Sequence, residues 1–264
     1  MICRSYNTVD MAKALVTGAS GGIGKELSMI LARNGYDLIV AARRRKELED
    51  LRDTIVSENG RDVEIIVCDL TDISSVDSMP TDVDILINNA GFGDLGPFVD
   101  CDPDKQIRMI DLNVRTLTAL TRRIVPGMVS RGKGRILNVA SVASFEPGPL
   151  MSVYYATKAY VLSFSEALHE ELRGTGVTVT ALCPGPTNTG FAKAANADGT
   201  NLFKEAAGAD VVKVAEYGYR CMMKGKAVAV CGLLFKLSIF TVRLLPRCVV
   251  RRIVHWLQSR TERP

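Results

Sequence analysis

One short segment limits the folds open to this chain more than any other. The apolar run AKALVT (residues 12–17) passes through TGASGGIG, with Gly18, Gly22 and Gly24, straight into the helical-period stretch GIGKELSMILARNG (22–35). The run before the turn is apolar at successive positions instead of alternating, so both its faces must be covered, as in a parallel sheet between layers of helices. The pattern then repeats: YDLIVAA (36–42), RRKELEDLRDTIVSENG (44–60), VEIIVCDL (63–70), VDILINNAG (83–91), a helical stretch from Pro103 to about Arg131, GRILNVAS (134–141), a helix from about Ser152 to Arg173, and VTVTALCPG (177–185). Strand and helix in strict succession predict an α/β class, a doubly wound parallel sheet with helices on both faces. A further helix at about Asp210–Met223 and a last strand at about Ala227–Cys231 are expected to finish it.

With 264 residues and 47% hydrophobic content, the chain can bury one large core, and no linker-like composition divides it. Residues 11–231 are read as a single domain, 1–10 as a loose extension without the apolar core of a signal peptide, with Met11 as an alternative start, and 232–264 as a basic amphipathic tail. The seven cysteines are odd in number and form no C-x-x-C pair, which argues against disulfides and zinc and for reduced thiols in a cytoplasmic compartment. His169 and His255 are too scattered for a metal site, and none is expected. Residues 1–223 carry 24 Lys and Arg against 28 Asp and Glu, a net of −4, whereas residues 224–264 carry 9 against 1, a net of +8. No nucleic-acid partner is indicated.

The glycine-rich turn suits a phosphate. A pyrophosphate has to approach the backbone closely and meet unpaired N–H groups at the positive end of a helix, and glycines remove the Cβ atoms that would block it. A flexible turn would look similar in isolation, but its place between a strand and a helix at the start of a βαβ unit favours a cofactor. The end of the second strand separates the two dinucleotides. It reads LIVAARRR, with no carboxylate before Glu47 and with Arg43, Arg44 and Arg45 in a row, so NADP(H) is favoured over NAD(H), Arg43 first and Arg44 second on the 2′-phosphate. Arg45 is read as a solvated helix start.

In YYATK (154–158), Tyr154 and Tyr155 both lie within helical reach of Lys158, and spacing alone does not choose between them. With the cradle, NNAG (88–91), Asn113, Ser141, Tyr154, Lys158 and PGPTNT (184–189) all in order, the chain closely resembles the short-chain dehydrogenases/reductases over nearly all of Met11 to Val230. The resemblance implies a Rossmann-type sheet of seven parallel strands, bound NAD(P)(H), and a catalytic group of Ser141, Tyr154, Lys158 and Asn113. The family's Tyr-x-x-x-Lys, with Ser about thirteen residues upstream, fits Tyr154 and leaves Tyr155 as a packing residue. It further implies cofactor contacts from Gly18, Ser20, Gly22, Ile23 and Gly24, from Asp69 and Leu70 at the adenine, from Asn88, Ala90 and Gly91 beneath the ribose, and from Pro184, Gly185, Thr187 and Thr189 at the nicotinamide and phosphates. Thr187 departs from the Val or Ile common in the family. A dimer or tetramer is the family's usual assembly.

These residue types make chemical sense together. A free phenol, with a pKa near ~10, needs a neighbouring positive charge to exchange protons at neutral pH, and Lys158 one turn along is expected to supply it. In reduction Tyr154 would protonate the carbonyl oxygen, Ser141 would polarise that oxygen, and Asn113 would, by the resemblance, organise a helix bend and a water path to Lys158. Each residue singly has a dull reading: a turn Ser, a core Tyr, a surface Lys, a helix Asn facing water.

The remaining features concern substrate and surface. Phe92, Phe98, Phe145, Leu150, Met151 and Phe191 make the loops around the site apolar, which favours a hydrophobic ketone or aldehyde, or the matching alcohol, as small-molecule partner. Residues 188–210 read as a lid. A 3-oxoacyl-thioester reductase of lipid synthesis and a non-catalytic dinucleotide-binding regulator are the alternatives. From Val249 the apolar residues alternate with Arg251, Arg252, Gln258 and Arg260 at helical period, so peripheral contact with a membrane surface competes with packing on the body or in an oligomer.

Overall fold

A computed structural model describes residues 12–197, 199–202 and 208–259. The expected extension 1–10 lies outside these residues, as do parts of the expected lid. The strands are β1 (Lys13–Thr17), β2 (Asp37–Ala42), β3 (Val63–Val67), β4 (Ile85–Asn88), β5 (Gly134–Val139), β6 (Val177–Cys183) and β7 (Val228–Val230). They form one seven-stranded sheet in the order β3-β2-β1-β4-β5-β6-β7, every pair parallel.

The reason the strands read apolar throughout is visible in β1. Ala14 and Val16 enter the core on one face of the sheet, and Leu15 enters the core on the other. On the first face α1 (Gly22–Arg33) contributes Leu27, Ile30 and Leu31, and α2 (Arg45–Asn59) contributes Leu48, Leu51 and Ile55. On the second face lie Met109 of α3 (Pro103–Ile110), in the satellite cluster beside the site, and Leu120, Ile124 and Met128 of α4 (Leu117–Ser130). Each fully buried leucine contributes about 1.5–3 kcal/mol of burial, so the two faces together hold the sheet.

Between α3 and α4 the helix widens into a π turn over Asp111–Thr116. Such turns bond i→i+5 and are frequent at functional sites. Asn113 lies within this turn, buried and not facing water. After α5 (Ser152–Glu171) and β6 come a short α6 (Phe191–Ala194) and α7 (Val211–Met223). Beyond β7 the tail forms two helices, α8 (Leu233–Leu244) and α9 (Arg247–Gln258), broken at Pro246. Among the described residues no helix is long and apolar enough to cross a membrane.

The order reverses between β1 and β4, where successive crossovers leave to opposite sides and open a cleft at the strands' C-terminal ends. That cleft is where the candidate residues gather.

Candidate active site

The floor of the cleft is the turn from β1 to α1. Gly18 and Gly22 have φ of +67° and +56°, and a Cβ on Gly18 would fall 2.9 Å from the Ala90 Cα. Gly24 does not line the cleft. It allows α1 to rest on the turn, since a Cβ there would sit 2.5 Å from the Gly18 carbonyl oxygen. Among the described residues no side chain caps the N-terminus of α1, and no acidic residue occupies its first turn. The helix therefore presents open N–H groups to an anion, a cradle that fits a dinucleotide pyrophosphate. Asn89, which the sequence reading passed over, lines the cleft and ties the turn down through Nδ2 bonds to the Thr17 and Gly18 carbonyls (3.0 and 3.1 Å). Asn88 lies outside the lining, with its amide bonded to Thr121 and Asn138 (3.0 and 2.9 Å) between β4 and β5. Ser20, Ile23, Leu70, Ala90, Gly91, Pro184, Gly185, Thr187 and Thr189 all line the cleft.

The arginines differ from one another. Arg44 is spoken for: Nε and Nη2 donate to Ser20 Oγ (3.2 and 3.0 Å), Nη2 also donates to Ser20 O (2.9 Å), and Nη1 lies 3.3 Å from Glu47. Among the described residues Arg43 has only a loose pairing, with Asp69 at 4.0 Å. Asp69 is itself a turn residue whose Oδ1 accepts from Thr71 N and Oγ1 (3.0 and 2.9 Å). Partial burial raises its pKa, but the Thr71 bonds and nearby Arg43 outweigh this and hold the carboxyl below its ordinary range.

At the nicotinamide end, α5 places Tyr154 and Lys158 one turn apart, both buried. Lys158 Nζ donates to the Val139 carbonyl at 2.7 Å and sits 5.8 Å from the Tyr154 ring centroid. Ser141, just past β5, accepts from Ala143 N at 3.1 Å and lies within hydrogen-bonding reach of the Tyr154 phenol. Asn113 stands behind this group rather than in the lining. Its Nδ2 donates to Phe92 O and Thr157 Oγ1 (both 3.0 Å), and its Oδ1 accepts from Phe92 N (3.2 Å), which locks the loop after β4 to α5.

Burial governs the charges. It pushes the Tyr154 phenol up to about 12, with the Ser141 bond opposing, and pulls the Lys158 ammonium down to about 8. The expected lowering of the phenol by Lys158 is therefore reversed in the protein alone. The loss of hydration outweighs the Ser141 bond, and Tyr154 stays protonated. That is the state of a proton donor.

The cavity joining these groups has a volume of about 810 Å³. Phe92, Met151 and Phe191 line it, with the Phe191 ring centroid 5.2 Å from that of Tyr154. Three expected substrate residues do not line it. Phe98 points to solvent, Phe145 packs with Val161 and Leu162, and Leu150 adopts a left-handed φ of +68° in the loop that delivers Met151. Leu202, Tyr155 and Gln258 line it instead. Tyr155 is more than a packing residue, because its hydroxyl accepts from Gln258 Nε2 at 2.6 Å across 103 residues of sequence.

The tail also reaches this end of the cleft. The Phe235 ring of α8 occupies the space a Cβ on Gly185 would need, and Val250 and Val254 of α9 are buried in the cluster that holds Met109, Met151, Tyr154 and Tyr155.

Comparison with known proteins agrees with this geometry. The family model described as short chain dehydrogenase matches residues 12–200. A very-long-chain 3-oxoacyl-CoA reductase of Homo sapiens is 35% identical over 189 residues, covering 68% of this chain and 61% of that protein. A short chain dehydrogenase of Pseudocercospora fijiensis is 38% identical over 181 residues, covering 65% of this chain and 58% of the relative. The chain thus spans about three fifths of the length of these curated relatives. Among solved structures, a short-chain dehydrogenase from Sphingobium yanoikuyae in complex with NADPH superposes with a TM-score of 0.79 at 32% identity, covering 89% of this chain and 94% of that one. A bulky-bulky ketone specific alcohol dehydrogenase from Comamonas testosteroni gives 0.76 at 28% identity, covering 89% and 92%. A glycine cradle at the switch point of a parallel sheet, with Ser141, Tyr154 and Lys158 at its far end, therefore has its explanation in descent: this chain belongs to the short-chain dehydrogenase family of oxidoreductases.

Proposed function

We propose that the protein is an NADP(H)-dependent oxidoreductase that interconverts a hydrophobic ketone or aldehyde and its alcohol, with Tyr154 as the general acid and base. The observation that carries this reading is a buried, protonated Tyr154 within reach of Ser141, set in an apolar cavity beside a helix N-terminus free of side-chain caps. A nicotinamide held there supplies or takes up the hydride. Gly18, Gly22 and the α1 N–H groups would hold the pyrophosphate, and Thr187 and Thr189 would bind at the nicotinamide side. Ser141 orients the substrate oxygen by hydrogen bonding, and Tyr154 gives that oxygen its proton in reduction or removes it in oxidation. Lys158, on the Val139 carbonyl, keeps a positive charge beside the phenol while it is ionised.

The exposed, loosely paired guanidinium of Arg43 just past β2 supports NADP(H), as does the NADPH complex of the related Sphingobium protein. The Comamonas enzyme's bulky ketones fit the apolar walls. A second reading, reduction of a 3-oxoacyl thioester, is favoured by the matches to very-long-chain 3-oxoacyl-CoA reductases at 34–35% identity. Following the loss of NADPH absorbance across ketones, aldehydes, quinones and 3-oxoacyl thioesters tests both. Turnover confined to the thioesters selects the second reading, and tight NADPH binding with no turnover anywhere would favour the non-catalytic regulator.

The tail suggests where the enzyme works. Leu233, Leu234, Leu237, Phe240 and Leu244 form one exposed stripe of α8, and Ile253 and Trp256 are exposed on α9 beside Arg247, Arg251 and Arg252. A symmetric contact between two copies would bring these arginines against each other, whereas an anionic bilayer surface matches both the charge and the apolar stripe. Peripheral attachment to such a surface is part of the proposal.

A further inference from the structure

Val250, Val254 and Gln258, four residues apart, form the inward stripe of α9. The two valines suit an apolar cluster, and a glutamine does not. Gln258 is only 1% exposed, its Nε2 is used on the Tyr155 hydroxyl, and its Oε1 is buried with no hydrogen-bond partner among the described residues. A buried carbonyl in that condition carries a desolvation penalty that a methionine of similar size would avoid. The same side chain lines the cavity that Tyr154, Phe191 and Leu202 line.

The amide is held on both sides. The Tyr155 ring that anchors it packs edge-on against Tyr154 with centroids 6.1 Å apart, and Gly148 leaves open the space the ring fills. The end of α9 is clamped by Asn201, whose Nδ2 donates to the Trp256 carbonyl (2.9 Å) and whose N–H donates to the Ser259 carbonyl (3.1 Å). The side chain is fixed at the wall of the cavity with its acceptor covered and unpaired among the described residues, and a donor on a ligand that displaces what covers it would satisfy that acceptor.

We propose that Gln258 is a specificity-determining residue, and that its Oε1 accepts a hydrogen bond from an O–H or N–H group carried on the apolar body of the substrate, away from the reacting carbonyl. The inference rests on the oxidoreductase reading above and narrows it. The substrate class is a carbonyl compound bearing a hydroxyl or a secondary amide. Unsubstituted hydrocarbon ketones lack the donor, and an ionised carboxylate would set lone pairs against lone pairs.

The test uses the full chain and a set of ketones that share one apolar body and carry, at successive positions from the carbonyl, a methyl, a hydroxyl or a methyl ether. The wild type should favour one hydroxyl ketone over both its methyl and ether counterparts by about tenfold or more in kcat/KM. In Gln258→Met that ratio should fall to about one. Gln258→Glu, which keeps an oxygen acceptor at the same reach, should retain the preference, and Tyr155→Phe, which removes only the anchor, should weaken it. NADPH binding followed by fluorescence checks that each variant is folded, and the Glu and Phe variants carry the test if the Met variant is not. Turnover without any hydroxyl preference overturns the inference and leaves the oxidoreductase reading intact. So does a preference for the ether, or a preference that survives in Gln258→Met. Failure to turn over any ketone with either cofactor overturns both.

Discussion

Replacing Arg43 by alanine should change which cofactor the enzyme prefers, and the structure gives a size for the effect. Arg43 is the less committed of the two cavity arginines, with a single 4.0 Å pairing to Asp69 and a side chain 72% exposed. Arg44 has its three nitrogens on Ser20 and Glu47. At such exposure the water-like end of the dielectric range applies, and a guanidinium about 4 Å from a doubly charged phosphate contributes about 2 kcal/mol, or about 30-fold in binding. A buried pair would be worth several times more, and the exposure excludes that. Steady-state kinetics with NADPH and NADH should therefore show Arg43→Ala losing about 30-fold in kcat/KM for NADPH while changing little for NADH, with most of the loss disappearing at about 1 M salt. Arg44→Ala should loosen the Ser20 turn and weaken both cofactors alike. An equal loss for both cofactors in Arg43→Ala, or a wild type that prefers NADH, would refute the reasoning.

Two further outcomes follow from burial and surface. The Lys158 pKa lies near about 8 in the folded chain against 10.5 ordinarily, so between these values the unfolded chain holds a proton that the folded chain has released, and this residue's contribution to stability rises with pH across that window. Urea titrations without cofactor should show the stability of wild type gaining on Lys158→Met between about pH 8 and 10, and a constant difference would contradict the buried ammonium. In flotation assays the protein should rise with anionic but not neutral vesicles, and Leu234→Glu with Leu237→Glu should abolish this; a full-length protein that stays with the soluble fraction would exclude the membrane surface.

Much of the fold was legible because its strands obey a simple rule. Side chains of β1, β2 and β4 alternate between two buried faces, so each strand leaves an unbroken apolar word in the sequence. The glycine cradle was legible for a related reason, since a left-handed φ and a close backbone approach leave few residue types able to serve at Gly18. Tyr154 could be separated from Tyr155 only through resemblance, because one helical turn brings either within reach of Lys158. What the sequence concealed depends on contacts between distant segments. Nothing local announces that Asn113 sits in a π turn, that Asn88 faces a neighbouring strand while Asn89 faces the cleft, or that Phe98 points to solvent and Phe191 to the phenol. The tail shows the limit most clearly. Its helical period revealed an apolar stripe, but periodicity could not tell that the 250/254/258 face closes over the site while Ile253 and Trp256 stay exposed.

The claim on which the rest depends is that Tyr154 is the proton donor, and Tyr154→Phe tests it most directly because it removes one hydroxyl from a packed ring and little else. Single-turnover hydride transfer from NADPH to a ketone that the wild type reduces, measured beside NADPH affinity, should fall by about a hundredfold or more while the affinity stays within about twofold. Hydride transfer at the wild-type rate in Tyr154→Phe would contradict the account.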